Sequence, residues 1–243
     1  MVITHIVEWL KTYATNANVN GFVVGVSGGV DSAVTSTLCA MTGLEVMCLE
    51  MPIHQAESHV SRAQEHISQL KNRFPNVQST RVDLTPVFEN FKSEINLDGS
   101  TSTVDMALAN SRARLRMTTL YYYAGLLGKL VAGTGNKVED FGVGFYTKYG
   151  DGGVDISPIA DCNKSEVWEI GKELGILNEI IEAAPTDGLW DDGRTDEGQL
   201  GLKYHELEEA MDNPNSSNRA KYETIRKQNL HKMEPIPVCK IPN

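Results

Sequence analysis

Apolar residues recur along this chain with two alternating periods. Ile3, Ile6, Val7, Leu10 and Tyr13 return at helical spacing over residues 2–15, whereas Phe22, Val23, Val24 and Val26 form a short continuous run. That run has the length and composition of a buried strand, and it stops at Ser27-Gly28-Gly29. Val30, Val34, Leu38 and Met41 then open an amphipathic helix. Glu45 to Met51 reads as a second buried strand ended by Pro52, residues 56–72 as a polar crossover helix, 77–82 as a third strand and 84–91 as a further helical turn or two. After a polar loop over 95–103, where Ser102 or Thr103 is placed to cap, Met106, Ala109, Ala113, Met117, Leu120, Ala124 and Leu127 mark a long helix from Val104 to Leu127. Its stripe is rich in small residues. Leu130 to Ala132 is a fourth, short strand, and helices are expected over 165–174, 200–211 and 217–230. Strands alternating with helices predict an α/β fold: a doubly wound, Rossmann-like parallel sheet, put at five strands, with helices on both faces. In such sheets ligands sit beyond the carboxyl ends of the strands, which is where Ser27 falls.

Composition narrows the setting. The 243 residues are 41% hydrophobic and 22% charged, enough for a substantial core, and are most simply one domain over 1–243. A formal net charge of −10 argues against a general nucleic-acid binder, whose affinity rests on neutralising phosphates. Any anionic ligand must therefore meet a local basic cluster. Cys39, Cys48, Cys162 and Cys239 are scattered without a Cys-x-x-Cys pair, so neither a zinc site nor a disulfide framework is suggested, and a reducing, cytoplasmic setting is expected. No basic leader opens the chain and nowhere do about eighteen apolar residues run together, so no membrane association is expected.

The candidate chemistry begins at Ser27-Gly28-Gly29-Val30-Asp31-Ser32. Glycines after a strand free several N–H groups to converge on an anion, just where the following helix adds its positive end. Ser27 and Ser32 add hydroxyls. Asp31 would repel a bound phosphate unless a divalent cation lay between them, so it reads as a magnesium ligand; a plain helix cap is the alternative. No Gly-Lys-Ser/Thr follows, which excludes a Walker loop. On the long helix Arg112 and Arg116 are one turn apart on one shoulder of the stripe, and Asn110 and Arg114 on the other. They read either as two phosphate-binding shoulders or as a solvated charged face. A second glycine-punctuated turn, Gly133 to Glu139, offers the Thr134 hydroxyl and the Glu139 carboxylate, while the crowded stretch Gly144 to Pro158 is by itself no more than a dense turn. Residues 184–199, polar and glycine-rich around Leu189 and Trp190, read as a mobile segment, either an ordinary surface loop or a lid.

The first loop resembles the pyrophosphate loop of the N-type ATP pyrophosphatases. Together SGGVDSA, NSRARLRM, GTGNKVED, GFYTKYGDGGVDISP, NKSEVWEIGKELG, APTDGLW and TDEGQLGLKY are similar, in order and spacing, to the blocks of the ammonia-dependent NAD synthetases, from about Gly21 to the tail. That resemblance implies ATP-dependent amidation of deamido-NAD with ammonia, through an adenylate, with release of pyrophosphate and AMP. It also implies roles. Ser27, Gly28, Gly29, Asp31, Ser32, Arg116, Thr134 and Lys164 would bind ATP; Asp31 and Glu139 would hold magnesium, with Thr186 near a second ion; Asn110, Arg114, Lys148, Asp155, His231 and Lys232 would contact deamido-NAD; and Asp31, Asp151 and Lys164 would act in catalysis. Lys164 would steady charge developing on phosphate, and Asp151 would bind ammonia or take its proton. A homodimer is implied, with the long helix at or near the interface, and residues 184–199 would close as a lid once both substrates are bound. One departure stands out: Met233 follows His231-Lys232 where the family carries arginine.

Overall fold

The computed structural model describes residues 1–190 and 193–242. Its strands are β1 (Gly21–Gly25), β2 (Glu45–Glu50), β3 (Val77–Arg81) and β4 (Leu130–Val131), all parallel, in the order β3-β2-β1-β4. Strand alternation divides the core in two. Phe22 and Val24 face a cluster built with α1 (Val2–Asn16), α2 (Val30–Met41), α3 (Glu57–Arg73) and α6 (Lys164–Glu173), while Val23 faces the cluster of α4 (Thr85–Glu94) and α5 (Thr101–Leu127). Helices therefore cover both faces, as the alternation of patterns predicts. A third cluster joins a π-helical turn at Lys137–Val143 to α9 (Tyr204–Asp212) and α10 (Arg219–Met233). Among the described residues no helix is long and apolar enough to cross a membrane.

Among the described residues the expected fifth strand is not formed and the sheet has four. Its place beside β4 is taken by Ile156, which makes a single parallel bridge to Ala132. The Asp155 and Ile156 amides both donate to the Val131 carbonyl, at 3.0 and 3.3 Å, and the Gly133 amide donates back to Ile156 at 2.8 Å. The pairing goes no further because a turn through Gly152 and Gly153 precedes it and Pro158, with no N–H to donate, follows it.

Other boundaries also move. The long helix starts at Thr101, three residues before the expected Val104, because the Ser100 hydroxyl takes the capping role expected of Ser102 or Thr103 and accepts from the Thr103 amide. The helix expected over 200–211 is broken at Gly201, in a left-handed conformation, into α8 (Asp196–Leu200) and α9. The short α7 (Asn178–Ile181) and the π-helical turn are not anticipated by the apolar pattern.

Candidate active site

The carboxyl ends of β1 and β4 open onto a cavity of about 250 Å³. The loop Ser27 to Ser32 forms its floor, and local sterics dictate the loop's path. Gly28 has φ +85°, and a methyl group there would come 2.5 Å from the His59 carbonyl of α3. Its own carbonyl turns toward α3 and accepts from Arg62 Nε at 3.1 Å. Ser32 Oγ donates to the Gly29 carbonyl (2.9 Å) and accepts from the Ser27 amide (3.2 Å), while the Gly29 amide donates to Ser27 Oγ (3.3 Å). The loop's own oxygens thus hold the donors that a phosphate would use.

Above the loop stands a buried ionic cluster. Lys164, 1% exposed, is set by α6, which begins at that residue behind a capping box of Asn163 and Glu166. Its Nζ donates to Asp31 Oδ2 at 2.6 Å and Glu139 Oε1 at 3.0 Å. Asn136, which caps the π-helical turn, donates to Asp31 Oδ1 at 3.0 Å, and the Tyr204 hydroxyl donates to Glu139 Oε1 at 2.5 Å. Burial by itself would discharge Lys164, but the two carboxylates raise it well above the ordinary ammonium range. Burial also raises Asp31 against the pull of Lys164, while in Glu139 the attraction of Lys164 and its hydrogen bonds outweigh burial and lower it.

Further carboxyls crowd the cavity. Burial lifts Asp151 to about 6, assisted by Asp187 and Glu139 and opposed by the Thr147 amide, which donates to its Oδ1 at 2.9 Å. Burial with Glu139 lifts Asp196 to about 7, and burial with Glu139, Asp151 and Asp31 lifts Asp140 well above the carboxylate range. Asp140 and Asp196 belong to this site although sequence reasoning gives them no role. Both lie within motif strings that carry the resemblance, so the available signal is their position and not their spacing. A substrate phosphate here needs cations, and the donors present suit a hard divalent ion: two carboxylates, Asp31 and Glu139, with the Thr186 hydroxyl on the same cavity. No cage of three or more His, Cys, Asp or Glu side chains occurs among the described residues.

Arg116 and Thr134 reach the same cavity. Arg116 donates through Nε to the Met51 carbonyl (3.1 Å) and through Nη2 to Gln55 Oε1 (2.8 Å), and burial brings it down to about 10, so it remains charged. Residues 183–189 form the far wall. Asp187 accepts there from the Leu189 amide, Trp190 Nε1 and Gln199 Nε2, and Arg112 donates to the Leu189 carbonyl. The segment 184–199 is therefore not wholly irregular: α8 starts inside it, and its first residues are tied to α5. Asp191 and Asp192, at its centre, lie outside the described residues.

The residues implied for deamido-NAD stand apart from this cavity. Five of them gather around the loop 144–151 and the end of α10. Asn110 Oδ1 accepts from Thr147 Oγ1 (2.6 Å), Arg114 donates to the Lys148 carbonyl (3.3 Å), Lys148 Nζ donates to the His231 carbonyl (2.9 Å), and Lys232 Nζ donates to Gly144 and Tyr146 (2.7 and 2.8 Å). Asp155 is not with them. It accepts from Tyr121 (2.9 Å) and from the Val131 amide (2.8 Å) at the sheet edge. Met233, in the arginine's place, packs its methyl toward Gly144 and its sulfur 3.6 Å from Arg226.

A strand, a glycine loop beside Asp31, and a lysine pinned between that aspartate and Glu139 thus meet on one cavity. The sequence profile of the NAD synthase family matches residues 2–241. The chain belongs to the NAD synthase family. Membership makes it a carbon–nitrogen ligase. The NH3-dependent NAD+ synthetase of Carboxydothermus hydrogenoformans is 39% identical over 84% of this chain and 81% of its own. Among solved structures, the NMN synthetase of Francisella tularensis superposes with a TM-score of 0.88 at 32% identity, covering 99% of this chain and 98% of that one. The NH3-dependent NAD synthetase of Campylobacter jejuni shares the fold, with a TM-score of 0.78 at 23% identity over 98% of both chains.

Proposed function

We propose that this chain joins ammonia to the nicotinate carboxylate of deamido-NAD, forming NAD at the expense of ATP, which leaves as AMP and pyrophosphate. The observation that carries the reading is Lys164 held between Asp31 and Glu139 directly above the phosphate loop, within a family whose relatives bear that activity in their names. Ser27, Gly29, Asp31 and Ser32 receive the triphosphate, with Gly28 giving the loop its turn, and Arg116 and Thr134 hold the nucleotide. Asp31, Glu139 and Thr186 hold magnesium, which when bound neutralises phosphate charge. Lys164, buried and charged, moves its ammonium from carboxylates to phosphate as negative charge develops there. Nucleotidyl transfer asks for alignment and neutralisation more than for a covalent nucleophile.

Asp151, whose carboxyl is raised to about 6, is the group suited to take a proton from ammonium near neutral pH. Ammonia, and not glutamine, is the direct nitrogen donor. Burial raises the thiols of Cys39 and Cys48, the latter to about 12, and raises Cys162 as well, which is the opposite of what a glutaminase nucleophile requires. Asn110, Arg114, Lys148, Asp155, His231 and Lys232 receive deamido-NAD from the outer side, and 183–190 close over the site. The catalytic unit is a single cytoplasmic domain that pairs as a homodimer.

A second reading is favoured by the Francisella likeness, which spans both chains almost completely: amidation of the mononucleotide instead of the dinucleotide. Asp155 already spends both carboxylate oxygens on Tyr121 and the Val131 amide, which fits a smaller substrate. One assay tests both. Purified protein with ATP, magnesium and ammonium is offered deamido-NAD and nicotinate mononucleotide side by side. NAD formation with higher kcat/KM supports the first reading, NMN formation with higher kcat/KM supports the second, and glutamine-driven turnover without ammonium would overturn the assignment of the nitrogen donor.

A further inference from the structure

The cations lining the cavity are not equivalent. Lys164 is spent on Asp31 and Glu139. Arg116 donates only to neutral oxygens. The third is Arg62, half-buried on α3, which lies outside the Ser-Gly-Gly-Val-Asp-Ser loop and outside every motif that carries the family resemblance.

Three observations converge on Arg62. It lines the same cavity as Ser27, Gly29 and Asp31. Its only hydrogen bond among the described residues runs from Nε to the Gly28 carbonyl at 3.1 Å, and it makes no ion pair there, so its charge and its Nη donors remain uncommitted. Its stem starts beside the loop, because Gly28 packs directly on α3, where an added Cβ would meet the His59 carbonyl at 2.5 Å and the Arg62 Cβ at 3.3 Å. Around it the cavity is acidic, with Asp31, Glu50, Glu139, Asp140, Asp151 and Asp187 on its walls. A polyanion binding here needs each unspent cation, and a guanidinium fork matches phosphate oxygens better than a point charge does. His59 beside it does not duplicate the charge, since burial and Arg62 lower its imidazole below the usual range.

We propose that Arg62 binds the pyrophosphate end of ATP, its Nε fixed on the Gly28 carbonyl and its Nη groups donating to β- and γ-phosphate oxygens and then to the departing pyrophosphate. The proposal rests on the ATP-dependent ligase reading and adds a leaving-group contact to it.

The test is titration of the intact protein with inorganic pyrophosphate in magnesium, paired with pyrophosphate inhibition against ATP. Arg62→Gln should weaken pyrophosphate affinity about 10- to 100-fold, the range expected for hydrogen bonds to a charged group. KM for ATP should rise while KM for the nicotinate substrate stays within about twofold. Arg62→Lys keeps the charge but loses the fork and the Gly28 bond, and should recover part of the affinity, falling between wild type and Arg62→Gln. Equal pyrophosphate affinity in wild type and Arg62→Gln would overturn the proposal, as would Arg62→Lys being as weak as Arg62→Gln, which would place the residue's role in holding the loop. A wild-type protein that neither binds pyrophosphate nor amidates either nucleotide would overturn the ligase reading itself, a result distinct from both.

Discussion

At the scale of single residues, the site works by burying opposite charges together. Lys164 stays charged although 1% exposed, because Asp31 and Glu139 lie within 2.6 and 3.0 Å. Asp31→Asn removes a carboxylate and leaves its volume, so we expect a loss of at least about 100-fold in kcat with the fold retained; comparable turnover at saturating magnesium would refute it. A second buried group, His66, has no part in the chemistry. Ser36 Oγ lies 2.9 Å from its Nε2 and is 2.7 Å from the Ser32 carbonyl, to which it donates, which leaves Nε2–H as the donor to Ser36. Burial, with Arg73, lowers it from 6.5 to about 4. A group whose folded value is depressed contributes stability that is full above 6.5 and is lost as pH falls toward 4. That loss amounts to roughly 3 kcal/mol. Unfolding in denaturant at pH 7 and pH 4 should show wild type losing about that much more than His66→Gln; parallel losses in the two proteins would contradict it.

At the scale of elements, the wall formed by 183–189 is tied to its surroundings by side chains of α5 and of its own segment. Arg112 on α5 donates to the Leu189 carbonyl and stacks 4.7 Å from the Phe88 ring, and Asp187 gathers three donors. An adenylate must be kept from water, yet two large substrates must enter, a conflict that a closing segment resolves. We expect limited proteolysis near Arg194 to be fast in the free protein and suppressed at least about tenfold with ATP and the nicotinate substrate together. Equal cleavage in both states would eliminate the lid. The same elements show where sequence pattern misleads. Gly201 is one residue in an apolar rhythm, and only its left-handed backbone separates α8 from α9. The π-helical turn at 137–143 carries Glu139 into the site, yet its five-residue hydrogen-bond period leaves no repeat short enough to read.

At the scale of the whole molecule, α5 is conspicuous: of 27 residues only Ala109, Arg112, Ala113 and Ala124 are buried, while Tyr122 and Leu126 are 64% and 63% exposed. A long helix left so bare calls for a partner. We expect light scattering at micromolar concentration to give twice the 26.7 kDa chain mass, and Leu126→Glu to shift it toward the monomer; a monomeric wild type with full activity would refute the pairing. What the sequence by itself determined is local and periodic: β1, α2 and the turn between them, the parallel α/β alternation, and the loop residues, because backbone freedom at glycine and strand burial leave marks within a few positions. Tertiary structure alone decided the rest. Among the described residues the sheet stops at four strands because Pro158 and the Gly152-Gly153 turn confine Ile156 to one bridge. Asp31, Glu139 and Lys164 meet across 133 positions of sequence, and Arg62 comes to the phosphate loop from 34 positions away. Such meetings depend on how helices pack over the sheet, and packing is a property of distant surfaces that no short stretch of chain contains.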